Sequence, residues 1–261
     1  MENLKGKIAW VTGAGTGIGE GAALALAREG ATVVLTGRRK HALESVAERI
    51  AEAGGKVSVQ PADMTKSAAV QKVVAGIRGE FGRLDILVNN AGMNIPERSW
   101  RQLQPEGIEA VIAGNLTSAF FAAQAALPLM REQGGGLMIH TASWAGRFIS
   151  PLSGSAYTAA KHGMVAMSHT LNIEEGQNGI RSSVICPGEV ATPIMLNRPV
   201  PETPETLARM IQPADMGALV AFIARQPKHV VLNEVLISPA HNRGYIAMMK
   251  AREAAALAAK K

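Results

Sequence analysis

The sequence predicts an α/β fold in which a parallel sheet is covered by helices on both faces. Seven short runs rich in Val, Ile and Leu recur at 7–12, 32–36, 56–60, 84–89, 136–141, 181–186 and 230–237. Each is too short for a helix and too continuously apolar for a sheet with one wet face. Helix-period segments fall between them, at about 18–29, 40–53, 66–81, 105–132, 155–176 and 214–225. Strands alternating with helices are βαβ units, and such units build a doubly wound parallel sheet. A third observation is a glycine cluster between the first run and the first helical segment, where such folds approach a phosphate.

Taken in order, the first run leads into Thr12-Gly13-Ala14-Gly15-Thr16-Gly17-Ile18-Gly19. Glycines here permit a tight turn and let the backbone approach a pyrophosphate on the positive end of the following helix. The strict G-x-G-x-x-G spelling is not met, because Ile18 occupies its last position. The second run ends Leu35-Thr36-Gly37-Arg38-Arg39. A carboxylate at this point would grip the ribose hydroxyls of NAD. Instead Gly37 leaves space, and either arginine is able to fork onto the 2′-phosphate of NADP; a solvated basic loop is the alternative. Asp63, after the third run, either accepts from an adenine amine or caps the helix beginning near Lys66. The fourth run ends at Asn89-Asn90-Ala91-Gly92, polar and flexible where an α/β cleft opens.

Ser143 follows the fifth run, and Tyr157 and Lys161 stand four apart in Tyr157-Thr158-Ala159-Ala160-Lys161. On a helix that spacing puts both side chains on one face. An ammonium about 4 Å from a phenol, at an effective dielectric near 20, stabilises the phenolate by roughly 4 kcal/mol. That is enough to lower the phenol by about 3 pKa units, toward neutrality and general acid/base work. The lone Cys186 lies in an apolar run and reads as a small buried hydrophobe. Residues 193–213 carry Pro193, Pro199, Pro201, Pro204 and Pro213 and read as an ordered excursion or lid.

The chain has 261 residues and a formal charge of +6. Residues 241–261 hold five bases (Arg243, Lys250, Arg252, Lys260, Lys261) and one acid (Glu253), so four of the six charges belong to this tail and the body is nearly neutral. With no dense Lys/Arg stripe and few aromatic residues, a nucleic-acid partner is not expected. No apolar stretch reaches 18 residues and the N-terminus lacks a signal-type segment, so a cytoplasmic protein without a membrane partner is expected.

These motifs, joined in order, resemble the classical short-chain dehydrogenase/reductase family from about residue 5 to residue 238. The resemblance rests on the turn at 12–19, Asn89-Asn90-Ala91-Gly92, Asn115, Ser143, Tyr157 with Lys161, and Pro187-Gly188 followed by Val190 and Thr192. It implies a single Rossmann-type domain over 1–240 with strand order 3-2-1-4-5-6-7; the composition of 241–261 beyond it predicts a basic, Ala-rich, helical tail. It also implies reversible hydride transfer between a nicotinamide and a carbonyl or alcohol. Carried over, Ser143 orients the substrate oxygen, Tyr157 gives or takes its proton, Lys161 holds the nicotinamide ribose, and Asn115 anchors a water that links Lys161 to solvent. The cofactor would contact Gly13, Thr16, Gly17, Ile18, Gly19, Arg38, Arg39, Asp63, Met64, Asn90, Ala91, Gly92, Tyr157, Lys161, Pro187, Gly188, Val190 and Thr192.

Arg38, Arg39 and the missing carboxylate favour NADP, with NAD as the alternative, although residues 14–16 lack the basic residue that many NADP-preferring relatives carry there. The closing Val235-Leu236-Ile237-Ser238-Pro239 replaces the family's paired glycines. A small carbonyl or alcohol is the expected substrate, with Asn94, Trp144, Arg147 and Arg198 at its pocket and Arg147 or Arg198 facing an acidic group. The Ala, Met, Leu and Phe content of 105–132 and 155–176 exceeds what one buried helix face needs, so a homodimer or homotetramer is expected.

Overall fold

The computed structural model describes residues 2–150, 152–198 and 202–259. Its strands are β1 (Ile8–Thr12), β2 (Thr32–Thr36), β3 (Lys56–Val59), β4 (Ile86–Asn89), β5 (Gly136–Thr141), β6 (Ile180–Pro187) and β7 (Glu234–Ile237). They form one parallel sheet in the order β3-β2-β1-β4-β5-β6-β7, as expected. The order reverses between β1 and β4, and the crevice beyond the carboxyl ends of those two strands is where such sheets bind ligands.

The strand runs are apolar throughout because both faces are covered. Ala9, Val11, Val33, Leu35 and Val88 pack with Leu26, Val46 and Val220, from α1 (Gly17–Arg28), α2 (Lys40–Glu52) and α8 (Pro213–Ala224). The alternate residues Ile8, Trp10, Val34, Leu87 and Met138 meet Val73, Ile77, Ala126 and Leu129 of α3 (Ser67–Phe81) and α5 (Ser118–Glu132). A third group joins Met164, Val165 and Met167 of α6 (Ser155–Glu175) to Val184 and Cys186. Cys186 is buried as expected, and burial pushes its thiol up to about 12.

Three segments add detail to the expected pattern. The stretch 105–132 is one continuous helical run as expected, but a π-helical turn at Ala113–Thr117 widens it between α4 (Pro105–Ile112) and α5. The last strand begins only at Glu234, after a turn in which the carbonyls of Pro227 and Val230 accept from Nη1 of Arg181 (3.0 and 2.7 Å). The excursion contains a 3₁₀ turn (Pro193–Asn197), α7 (Pro204–Ala208) and a parallel bridge between Val190 and Ile211. Pro199 and Pro201 lie outside the described residues.

The tail is helical, as α9 (Arg243–Ala258), with Asn242 accepting from the N–H groups of Gly244 and Tyr245. It is not an appendage from its first residue. Arg243 is ion-paired to Glu189 and Glu202, and the Tyr245 ring packs on Trp144 at 5.6 Å. Lys260 and Lys261 lie outside the described residues.

Candidate active site

A cavity of about 390 Å³ opens beyond the strand ends at the β1/β4 reversal. Its floor is held by Thr12, whose hydroxyl accepts the N–H groups of Asn90 and Ala91 (both 3.0 Å) and donates to the Val88 carbonyl (3.4 Å). This side chain pins the end of β1 to the turn after β4. Gly13, Thr16, Gly17 and Ile18 line the cavity above it. Gly17 has φ +61°, and a Cβ there would lie 2.9 Å from Cγ2 of Thr192, so the turn and the opposite wall touch only because the residue is glycine. Gly19 is not at the cavity surface; it packs beneath the turn, where a Cβ would fall 2.3 Å from the Gly13 carbonyl oxygen. The α1 N-terminus has no side-chain cap, so its first N–H groups face the pocket without an internal acceptor.

One end of the cavity carries Arg38, Arg39, Asp63 and Met64. Arg39 donates to the Thr16 hydroxyl (3.3 Å), bending the post-β2 loop over the glycine turn. Asp63 does not cap α3, whose N-cap is Lys66. Its Oδ1 accepts from the N–H and hydroxyl of Thr65 (3.0 and 2.8 Å). The Thr65 N–H chiefly holds this carboxyl below its usual range, and Arg38 assists against the opposing effect of burial. Asn90, Ala91 and Gly92 form one side wall, and Pro187, Gly188, Val190 and Thr192 form the other.

At the opposite end Asn115, Ser143, Tyr157 and Lys161 converge on the same cavity. Ser143 precedes a 3₁₀ turn, its hydroxyl accepts from the Ala145 N–H (3.1 Å), and it lines the cavity with Tyr157. Tyr157 stands on the first turn of α6 and Lys161 on the next. Lys161 is 3% exposed, donates to the Thr141 carbonyl (2.8 Å), and places Nζ 5.4 Å from the centre of the Tyr157 ring.

Here the structure corrects the electrostatic expectation. Burial pushes the Tyr157 phenol up, with the Ser143 hydrogen bond and the charge of Arg98 pulling the other way. Burial also drives the Lys161 ammonium down to about 8. The ammonium sits over the ring face and is tied to a carbonyl, and the low-dielectric surroundings penalise the charged form of both groups.

Asn115 occupies the π-helical turn. Its Nδ2 donates to the carbonyls of Met93 (2.7 Å) and Val111 (2.8 Å), and its Oδ1 accepts from the Met93 N–H (3.3 Å). It therefore joins the widened turn of the helix to the turn after β4. Widened turns of this kind recur at functional sites.

The substrate candidates divide. Asn94 lines the cavity, buried, donating to the Ser153 carbonyl (3.0 Å). Trp144 and Arg147 do not line it. The 3₁₀ turn after Ser143 carries both away from the cavity, Trp144 against Phe148 and Tyr245, and Arg147 onto Glu234 in a bidentate pair, with His169 at 3.3 Å. Arg147 is thus engaged on β7 and not with a substrate. Arg198 lines the cavity, held by Glu189 (2.8 Å) and Glu202. Sequence reasoning missed Thr141, Leu152, Ser153 and Arg98, all at the cavity. Thr141 ends a strand, but the other three lie in irregular loops with no motif or periodicity to mark them.

The short-chain dehydrogenase family model matches residues 7–202. D-β-hydroxybutyrate dehydrogenase of Cupriavidus necator is 35% identical over 253 residues, covering 88% of this chain and 96% of that protein. Among solved structures, levodione reductase superposes with a TM-score of 0.84 at 30% identity, covering 91% of this chain and 98% of that one. A metagenomic short-chain oxidoreductase in complex with NADP superposes at 0.80 and 32% identity, covering 92% and 99%. With strand order, glycine turn and the Ser143, Tyr157 and Lys161 cluster already in place, the chain belongs to the short-chain dehydrogenase/reductase family, oxidoreductases acting on alcohol and ketone groups.

Proposed function

We propose that the chain interconverts a small carbonyl compound and its alcohol with NADP(H), using Tyr157 as proton donor in reduction and acceptor in oxidation. The observation that carries this reading is the convergence of Ser143, Tyr157 and Lys161 on a cavity whose other end bears Arg38 and Arg39. The residues present fit a dinucleotide: an uncapped helix N-terminus for the pyrophosphate, two arginines for a 2′-phosphate, and a cavity of about 390 Å³. The bound nicotinamide supplies or accepts the hydride.

The chain's own groups do the rest. Ser143 donates a hydrogen bond that fixes the substrate oxygen beside Tyr157, whose raised pKa keeps the phenolic proton available for donation. Lys161, anchored on Thr141, sets a cation beside the ring where negative charge develops in the oxidative direction. Asn115 holds the Met93 turn, and with it one wall of the cavity.

An NAD-dependent dehydrogenase on the same residues is the second reading, and steady-state kinetics with NADPH and NADH separate the two. A kcat/KM ratio favouring NADH would refute the use made of Arg38 and Arg39. A non-catalytic nucleotide sensor on the same fold predicts no turnover of any carbonyl compound, which a substrate panel followed by NADPH absorbance decides. The reading includes action in the cytoplasm and assembly of several copies, the latter supported by the exposed Ile108, Phe120 and Ile173 on α4, α5 and α6.

A further inference from the structure

The substrate end of the cavity holds a cation, Arg98, that no sequence motif announced. Its placement is fixed by the turn that opens α6. Nη1 of Arg98 donates to the Leu152 carbonyl (3.2 Å), and Asn94, earlier in the same loop, donates to the Ser153 carbonyl (3.0 Å). Gly154 allows the approach: a Cβ there would fall 2.7 Å from Cβ of Arg98 and 2.9 Å from its carbonyl oxygen. The loop bearing Arg98 and the helix bearing Tyr157 are thus locked together one turn from the phenol. Arg98 and Tyr157 act on each other electrostatically, each favouring the other's charged form.

The neighbouring charges balance one another. Arg198, the other arginine at this end, meets Glu189 and Glu202, and both glutamates also meet Arg243. Two carboxylates are therefore shared by two arginines, and Arg98, which Arg198 repels, adds a further positive charge on the cavity wall. A planar guanidinium matches a carboxylate in two parallel hydrogen bonds.

We propose that Arg98 is the specificity-determining residue for an acidic substrate, its guanidinium receiving the carboxylate of a small oxo acid or hydroxy acid whose reacting oxygen lies between Ser143 and Tyr157. This rests on the function proposed above. Binding through Arg98 orients the carbonyl, so the acid is favoured over any neutral compound of the same shape.

The test pairs 2-oxo and 3-oxo acids of three to six carbons with their methyl esters, alongside neutral ketones and aldehydes, with NADPH and NADH. The wild-type protein is expected to favour at least one acid over its ester by tenfold or more in kcat/KM. In Arg98→Met that ratio falls at least tenfold, through KM for the acid, and Arg98→Lys restores part of it. NADPH binding by fluorescence shows that the variants are folded, and if Arg98→Met does not fold, Arg98→Lys and the wild-type ratio still decide. Esters or neutral ketones reduced as well as the acids would overturn this proposal and leave the reductase reading standing. An acid preference that survives Arg98→Met would overturn the role of Arg98, and turnover of no carbonyl compound would overturn both readings.

Discussion

Tyr157 and Lys161 line one end of the cavity, and desolvation acts on them in opposite directions. Lys161 is lowered from an ordinary 10.5 to about 8, so between those values the unfolded chain binds a proton that the folded chain does not. Stability therefore rises with pH across that window. Tyr157 is raised above its ordinary 10, so its contribution falls as pH climbs past 10. At neutral pH the buried ammonium costs about 3 kcal/mol. Lys161→Met should accordingly melt several degrees above the wild type at pH 7, with the gap narrowing toward pH 10; differential scanning calorimetry across pH checks it. Tyr157→Phe should lose at least a hundredfold in kcat, the usual scale of a positioned proton donor, while NADPH titration shows binding retained. Arg38→Ala should lower kcat/KM for NADPH about ten- to a hundredfold, the scale of one or two charge-assisted hydrogen bonds, and leave NADH nearly unaffected.

Among the elements, the crossing of α1 and α8 is the closest contact between helices that hold up the site. A Cβ on Gly21 would lie 2.1 Å from the Pro213 carbonyl oxygen, and one on Gly217 would lie 2.3 Å from that of Gly21. Backbone meets backbone there, so neither side can yield by turning a rotamer. Gly21→Ala should cost about 2 kcal/mol or more and lower Tm by several degrees, and because α1 carries the glycine turn, KM for the nucleotide should rise as well. The excursion depends on charge instead. Glu202, 11% exposed, bridges Arg198 at the cavity to Arg243 at the start of α9. Glu202→Gln should loosen both ends, seen as faster proteolytic cleavage within 198–209 and a several-fold higher KM for the carbonyl substrate. Of these arrangements the glycine turn was legible in the sequence, with Gly17 and Gly19 at the mouth of a helix, but the packing of Gly21 on α8 was not. The clamp was not legible either, because all its pairs except Arg198 with Glu202 stand 9 to 54 residues apart and meet only when the excursion folds back.

At the scale of the whole molecule, the +6 charge resolves into parts with different fates. Arg243 is absorbed by the clamp, while Lys250 and Arg252 lie on the exposed face of α9. Removing residues 241–261 should therefore weaken substrate binding through loss of the Arg243 and Tyr245 contacts while leaving NADPH affinity unchanged; isothermal titration of both ligands checks this. The exposed Ile108, Phe120 and Ile173 should make the particle heavier than 27.4 kDa by light scattering.

The alternation of apolar runs with helical periods by itself determined the parallel sheet, because strands buried on both faces cannot hide their composition. The glycine turn and the four-residue spacing of Tyr157 and Lys161 likewise marked residues that line one cavity, since both follow from local geometry. Only the tertiary structure decided where the arginines fall. Arg147 was led away by a single 3₁₀ turn and taken by Glu234, Arg198 was taken by Glu189 and Glu202, and Arg98 was brought in by a loop packed on Gly154. Tertiary structure also reversed the expected direction for Tyr157. Spacing along a helix fixes which groups are neighbours, but their protonation depends on how much water surrounds them, and that is a property of the folded surface.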